Sequence, residues 1–329
     1  MGKKILITGG AGFIGSHLAR RLVKQGCQVT VVDNFERGKI EYLKGIKGVH
    51  DLIIVNSDLR YITEGDDEFL FDDVDLVIHM ASKVGGIGTY LAKPYEVMEA
   101  NMKIDSNVLN AVIRNGIPRY YYASSAHVYP KELQDDKDSP KISEEDAIPA
   151  NPELSYGWGK LIGEKAIEYA CKENPTLRAA VGRLIGIYGE NQDFDLETGS
   201  AIPVFSHRVI KYPDTPFNVK GTGKETRSYC FIDDALDCIE LMIEKLDEQQ
   251  IVGPLNVGKE ERSSIKEIAE KIIDISGKNI YINFDETCKT VIWGQWCDLS
   301  KTKEVLNWEA KVTMEQGLKK VYKNIKKRL

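Results

Sequence analysis

Apolar residues follow two periods along the chain. Short runs rich in β-branched and aromatic residues occur at 5–8 (ILIT), 29–33 (VTVVD), 52–55 (LIIV), 74–81 (VDLVIHMA) and 120–125 (YYYASS). Each has the length of a strand. Between the last two runs, Ile104, Val108, Ala111 and Val112 recur at helical spacing. Strands that alternate with helices predict an α/β fold whose parallel sheet is covered on both faces. Two stretches break the rhythm. Residues 189–223 are rich in turn formers, and 131–152 carry many Asp, Glu, Ser and Pro. The second reads as a solvated loop, and its place after a strand also suits it to cover a substrate. The chain has no internal repeat and no low-complexity segment.

Composition narrows the classes of partner. The 329 residues suffice for a large α/β domain with a smaller lobe. A net charge of -6 argues against a nucleic-acid surface. The basic ending KKVYKNIKKRL suits the end of a helix, where cations meet the negative pole of its dipole. The first residues run into a strand without a signal-peptide layout, and no apolar run is long enough to span a bilayer. Six cysteines (27, 171, 230, 238, 288 and 297) form no C-x-x-C pair. This predicts a cytoplasmic protein without zinc or another bound metal.

The stretch ITGGAGFIGSHL places Gly9, Gly12 and Gly15 directly after a strand and before an amphipathic helix. Glycines there let backbone N–H groups approach a pyrophosphate, and the helix N-terminus adds positive potential. Asp33 closes the next strand, where an acid bonds the ribose 2'-hydroxyl of NAD and repels the 2'-phosphate of NADP. The parts are in register for a dinucleotide site that prefers NAD. Arg37 and Lys39 follow closely and bring positive charge to the same edge.

In SYGWGK, Tyr156 and Lys160 are four apart and share a helix face. Such a pair is common and means little alone. Beside a dinucleotide site it has a chemical use, since a Tyr titrating near ~10 needs a nearby cation to act as a base at neutral pH. Ser125, ending the preceding strand, can hold a substrate hydroxyl. Together the three residues can take the proton of an alcohol while the cofactor oxidises it.

Seven stretches, TGGAGFIG, DLVIHMAS, SSAHVYP, SYGWGK, GRLIGIYGE, GTGKETRSYCFIDD and CDLSKTKEVLNW, occur in order over nearly the whole chain. The set resembles the extended short-chain dehydrogenase/reductases that act on nucleotide sugars. ASKVGGIG (81–88) and SSAHVYP look most like the GDP-mannose 3,5-epimerase and GDP-fucose synthase groups. The resemblance implies a Rossmann domain over 1–180, a substrate lobe over 181–329 with segments around 225–245 returning to the first domain, and a homodimer formed through two helices per subunit. It implies cofactor contacts from Gly9, Gly12, Phe13, Ile14, Gly15, Asp33, Asn34, Asp58, Leu59, Met80, Ala81, Ser82, Asn101, Tyr156 and Lys160, with His79 nearby. A nucleotide-diphosphate sugar is expected to meet Lys83, Gly85, Gly86, Ser125, Ala126, His127 and Arg227, the last on the diphosphate.

The implied activity is an NAD-dependent nucleotide-sugar epimerase working through a transient 4-keto sugar. His127 stands where the two closest-looking groups have a cysteine, and an imidazole near ~6.5 suits proton transfer in both directions at a carbon beside the ketone. The alternative use of His127 is to shape the pocket as a neutral hydrogen-bonding group. The chain departs from those groups elsewhere. Ser200 replaces their second acid/base, His207 lies seven residues later, Gly186 replaces an Asn, and Gln295 replaces a phosphate-binding Arg. A 4-epimerase of the UDP-hexose type is therefore a standing alternative, followed by a GDP-4-keto-sugar epimerase/reductase and a non-catalytic dinucleotide sensor. Asp33 disfavours a reductase using NADPH, and Ala126 with His127 replaces the Asp–Glu pair of a 4,6-dehydratase.

Overall fold

The computed structural model describes residues 2–46, 52–63, 65, 68–85, 87–288 and 291–329. In the first half, β1 (Lys4–Thr8), β2 (Gln28–Asp33), β3 (Leu52–Asn56), β4 (Leu76–His79), β5 (Arg119–Ser125) and β6 (Arg178–Leu184) are strands. Among them run α1 (Phe13–Lys24), α2 (Glu68–Phe71), α3 (Ile87–Ala92), α4 (Pro94–Arg114) and α5 (Ser155–Glu173). The second half has short strands β7 (Ile187–Tyr188), β8 (Asn218–Lys220), β9 (Thr226–Ser228) and β10 (Cys230–Phe231), then the longer β11 (Ile251–Val257), and β12 (Arg262–Ser264), β13 (Asn283–Asp285) and β14 (Gly294–Gln295). Its helices are α6 (Ala201–Lys211), α7 (Ile232–Lys245), α8 (Ile265–Ser276), α9 (Ser300–Leu306) and α10 (Met314–Arg328).

Among the described residues, seven strands form one parallel sheet in the order β11-β6-β5-β4-β1-β2-β3. This is a Rossmann-like α/β fold. The central strands are covered on both faces, which is why strands such as ILIT read as continuous apolar runs rather than alternating ones. Leu6, Val77 and Tyr120 pack in one cluster with Val108 and Val112 of α4, while Ile5, Ile7 and Ile78 pack in the other with Leu18 and Ala19 of α1. The strand order reverses between β1 and β4, which opens a crevice at the carboxyl ends of the strands. Register brings Thr8 beside Val32 on one side and His79 on the other, and His79 beside Tyr122. These ends of β1, β2, β4 and β5 are the floor of the site.

After β6 the chain builds a smaller lobe from the β12-β9-β14 and β13-β8 sheets, with α6, α8 and α10 packed together. It returns to the large sheet through α7 and β11. The turn-rich stretch 189–223 contains a helix the sequence does not announce, α6. Its Pro203 lies in the first turn, where no intrahelical donor is lost, and Ile202, Val204, Phe205 and Val209 give it a buried face. In 131–152, by contrast, the helical structure is short 3-10 turns at Lys131–Leu133 and Glu144–Ala147. No helix among the described residues is long and apolar enough to cross a membrane.

Candidate functional site

A cavity of about 370 Å³ lies over the crevice. At one end the chain turns from β1 into α1. Gly9 has φ +65, and a Cβ on it would sit 2.7 Å from the Ala81 backbone nitrogen. A Cβ on Gly15 would meet the Gly9 carbonyl oxygen at 2.4 Å. Glycine is thus required twice, once for the left-handed turn and once to let α1 close on it. Gly12 is the N-cap of α1, no described side chain caps that end, and its first turn holds no acid. The uncapped N–H groups and the helix dipole face the cavity, as a pyrophosphate site needs.

Asp33 reaches the same cavity from the end of β2. It is 8% exposed. One carboxylate oxygen accepts from the Ala11 N–H at 3.0 Å and the other from the Phe35 N–H at 2.8 Å. Burial raises its pKa and these two bonds oppose the rise. Asp58 and Asn34 continue the wall, joined at 3.1 Å, with Arg60 holding Asp58 down at about 2. Phe13, Ile14, Leu59, Met80, Ala81 and Ser82 line the same space. Asn101 is wholly buried. Its side chain fixes the loop that follows β4, accepting from the Lys83 N–H at 2.8 Å and donating to the Lys83 carbonyl at 3.1 Å. It therefore supports the wall from behind. Sequence reasoning did not assign Glu36, Gly38, Ser57 or Arg60, which complete the cavity. Arg37 joins them, but its guanidinium donates to the Val84 carbonyl at 2.9 Å and pairs with Asp193 at 3.3 Å. Glu36, Arg37 and Gly38 lie in the loop after β2, and Ser57 and Arg60 follow β3, so they come together only in the fold.

At the other end of the cavity stand Ser125 and Tyr156. Tyr156 is 7% exposed. Burial pushes its phenol up to about 12, and hydrogen bonding with Ser82 and Ser125 works the other way. Ser82 donates its one proton to Asn101 at 2.6 Å, so Ser125 is the hydroxyl free to donate to a Tyr156 phenolate. Helix α5 is held in place by a buried Arg183–Glu164 pair, with bonds of 2.7 and 3.0 Å, that ties it to β6. Its start is pressed onto the turn after β5, because a Cβ on Gly157 would lie 1.9 Å from the His127 carbonyl oxygen. Gly157 is the reason the motif reads SYG, and the sequence alone gave it no role.

His127 sits in that turn, its N–H bonded to the Ser125 hydroxyl at 3.2 Å. Its ring meets the Tyr156 ring edge-on, with centroids 5.8 Å apart. Tyr90, on α3, stacks on Tyr156 at 5.2 Å and meets His127 at 5.9 Å. This third ring was not anticipated. It seals Tyr156 from solvent, and its hydroxyl accepts the Gly85 N–H at 3.1 Å. Burial, and then the charge of Arg227, push His127 down to about 4. The imidazole is therefore neutral at neutral pH, and lies well below the range near ~6.5 expected from sequence.

The remaining substrate residues are placed less uniformly. The Arg227 guanidinium donates to the Thr226 carbonyl at 2.7 Å and the Ile292 carbonyl at 2.8 Å, on the side of the site facing His127. Lys83 lines the cofactor cavity, and its ammonium pairs with Glu36 and, at 3.6 Å, with Glu96. Ala126 is 4% exposed and packs in the core, so its methyl group does not form part of the cavity wall. Gly86 lies outside the described residues. Ser200 is the exposed N-cap of α6, and His207 bonds the Phe194 carbonyl at 3.0 Å. Neither is brought to Tyr156 by these contacts. Gly186 has φ +58, and a Cβ there would fall 1.9 Å from the Ser228 carbonyl oxygen, which accounts for the glycine. Gln295 bonds Gln134 at 2.7 Å.

The chain as a whole has relatives among known proteins. The NAD dependent epimerase/dehydratase family matches the chain over residues 5–258. The chain belongs to that family. It is 31% identical to GDP-mannose 3,5-epimerase of Arabidopsis thaliana over 99% of its own length and 83% of the relative's. It is 32% identical to UDP-N-acetyl-alpha-D-glucosaminuronate decarboxylase of Bacillus cytotoxicus, over 97% and 96%. Among solved structures, UDP-glucose 4-epimerase of Thermotoga maritima superposes with a TM-score of 0.86 at 25% identity, covering 99% of each chain. UDP-glucuronic acid 4-epimerase of Bacillus cereus, in complex with UDP-glucuronic acid and NAD, does so at 0.82 and 28%, over 99% and 100%. The chain is an enzyme of epimerase type that uses NAD, and the uncapped α1 terminus, the glycine approach and Asp33 fit that cofactor.

Proposed function

We propose that the protein is a nucleotide-sugar epimerase working through a transient 4-keto sugar, with Tyr156, Lys160, Ser125 and His127 as its working groups. The observation that supports this reading most is the cluster itself: a sealed Tyr156 with Ser125 on its hydroxyl and a neutral imidazole against its ring. Tyr156 takes the proton of the sugar's C4 hydroxyl while Ser125 orients it. NAD, which the Gly9–Gly15 turn and Asp33 would hold over Ser125 and Tyr156, would supply reversible acceptance of hydride from C4. The C4 ketone acidifies the neighbouring C–H bonds. His127, neutral, can accept a proton from one of them. Arg227 is the group apt for the diphosphate, because its planar fork matches phosphate oxygens. A diphosphate there also offsets the positive charge that disfavours protonation of His127. Ser200 caps α6 and His207 bonds the Phe194 carbonyl, so this reading assigns neither to the opposite face of the carbon.

A second reading, a 4-epimerase, is favoured by the depressed basicity of His127. It needs Tyr156 and Ser125 but no carbon base. Incubating GDP-, UDP-, dTDP- and CDP-sugars in heavy water separates the two. Deuterium at C3 or C5 supports the first reading, and its loss in His127→Asn with oxidation intact assigns the carbon step to His127. Inversion at C4 without deuterium supports the second. Bound NAD without turnover on any of them leaves a dinucleotide sensor.

The assembly is proposed to be a homodimer through α4 and α5. Tyr95 and Met102 on α4 and Trp158, Ile162 and Tyr169 on α5 are exposed apolar residues spaced along adjacent helices. Between them runs a groove of about 120 Å³ lined by Met102, Leu109, Gly159, Ile162, Gly163 and Ala166. A monomer seldom exposes such a stripe. Ile162→Lys is expected to halve the mass in analytical ultracentrifugation. An unchanged mass for the variant, or a monomeric parent, rejects the interface.

A further inference from the structure

Behind Tyr156, Lys160 stands among buried ionisable groups, Asp105, His79 and Tyr122, to which the proposed reaction gives no part. Lys160 is 1% exposed. Its ammonium is 3.6 Å from an Asp105 carboxylate oxygen and lies over the Tyr122 ring at 4.4 Å. Asp105, from α4, is 7% exposed. The same oxygen is 3.0 Å from His79 Nε2, and the other accepts from the Tyr122 hydroxyl at 2.5 Å. A Cβ on Gly163 would sit 2.2 Å from that hydroxyl, so glycine in α5 makes the room for it.

The chain of bonds continues to the cofactor cradle. His79 Nδ1 is 2.6 Å from the Thr8 hydroxyl, which also accepts the Ala81 N–H at 3.2 Å. When Thr8 gives its one proton to Nδ1, the proton on His79 is at Nε2 and points to Asp105. Burial disfavours a charge on His79, which fits this neutral tautomer. The carboxylate then has two donors, His79 and Tyr122, and the Lys160 ammonium as its ion-pair partner, with no second acid beside it among those contacts. Burial raises the pKa of Asp105, but the Lys160 charge and the bonds from His79 and Tyr122 leave it below the ordinary value.

We propose that Asp105 is a positioning residue of the reaction: its carboxylate, locked by His79 and Tyr122, holds the Lys160 ammonium charged and in place one helical turn from Tyr156. This rests on the reading of Tyr156 and Lys160 given above. A lysine alone in a dry pocket loses its proton, because nothing replaces its hydration. Burial does act that way on Lys160, and Asp105 acts against it, with a smaller contribution from Glu164. A neutral Lys160 gives Tyr156 no help in ionising. The titratable groups around the pair are Asp105 from α4, His79 from β4, Tyr120 and Tyr122 from β5, Tyr156 and Glu164 from α5, and Tyr90 from α3. Glu164 is itself bound by Arg183, so Asp105 is the acid whose loss leaves Lys160 exposed to desolvation.

The test is an NMR titration of the NAD-loaded protein carrying 13Cε lysine and 13Cζ tyrosine, with Lys160→Met and Tyr156→Phe used for assignment. In the unmutated protein Lys160 is expected to remain an ammonium through pH 8. In Asp105→Asn its midpoint should fall by about one pH unit or more, tenfold in proton affinity, and Tyr156 should ionise at higher pH. Asp105→Glu should restore the charge. Either of two results overturns the proposal in the mutant: an unchanged Lys160 midpoint, or a Tyr156 that ionises at lower pH, which would mean that the direct field of Asp105 dominates. If Asp105→Asn does not fold, the unmutated protein still decides, since a Lys160 already neutral at pH 7.5 overturns the idea. Retained turnover in Tyr156→Phe would sink the catalytic reading and leave the Lys160 titration to stand. A dead Tyr156→Phe with an unchanged Lys160 midpoint in Asp105→Asn would sink this inference alone.

Discussion

The two ends of the site are built from different materials. The cofactor end is made of backbone: a left-handed Gly9 against Ala81, an uncapped helix start, and an Asp33 fixed by two N–H groups. The end proposed to meet the sugar is made of side chains that already have protein partners. Arg227 binds three carbonyls, Lys83 binds two carboxylates, and Tyr156 is covered by Tyr90. A backbone cradle is set by fold and accepts one ligand shape. A side-chain wall can be exchanged residue by residue, and its groups must release their partners or share them when substrate arrives. The difference predicts that substitutions at the sugar end change rate and substrate affinity while NAD stays bound.

The largest expected effect comes from Tyr156→Phe. It keeps the stacked ring and removes the ionisable oxygen. Turnover should fall by about 10²–10⁴-fold, the usual scale of general acid–base help. Bound NAD, read from absorbance and calorimetry, should be unchanged. Loss of NAD along with turnover would mean that the two ends are not separable.

Arg227→Met is the next step down. A charged hydrogen bond to phosphate contributes about 1.5–3 kcal/mol, so KM for an accepted nucleotide sugar should rise by at least tenfold, with kcat changed less. Because Arg227 lowers the proton affinity of His127, the same variant should also move the His127 titration upward in NMR. A KM within twofold of the parent would remove Arg227 from the diphosphate.

The same contrast explains what the sequence revealed. Gly9, Gly12, Gly15 and Asp33 are legible because a glycine spacing and a strand-ending acid are local facts, and their roles follow from backbone geometry. Strands β1, β2, β4 and β5 were legible because covered strands are continuous apolar runs, and the edge strand β3 was legible from its β-branched run although Ile53 and Ile54 are exposed. Tyr90, Asp105 and Gly157 were not legible, because each acts on a residue far away in sequence: Tyr90 on Tyr156, Asp105 on Lys160, and Gly157 on the His127 carbonyl. Helix α6 was hidden by Pro203 and the polar, turn-forming stretch before it. For His127 the sequence located the residue but not its basicity, since burial and the Arg227 charge come from elements distant in the chain.

The smallest effect sharpens that last point without any substrate. Folded His127 takes up a proton only near pH 4, while the unfolded chain does so near ~6.5. Between these values the unfolded state binds more protons than the folded state, so stability falls as the pH is lowered. At pH 5.5 the loss from this one group should be about 1.4 kcal/mol relative to pH 8. His17 and His79 are also depressed by burial and add to the slope in every variant. The measurement is therefore a difference: urea unfolding of the parent and of His127→Asn at both pH values. The variant should lose less stability on acidification than the parent by about that amount. Equal losses in the two proteins would show that His127 titrates alike folded and unfolded, which would return it to the range where an imidazole can both take and give a proton at neutral pH, and would weaken the case for the 4-epimerase.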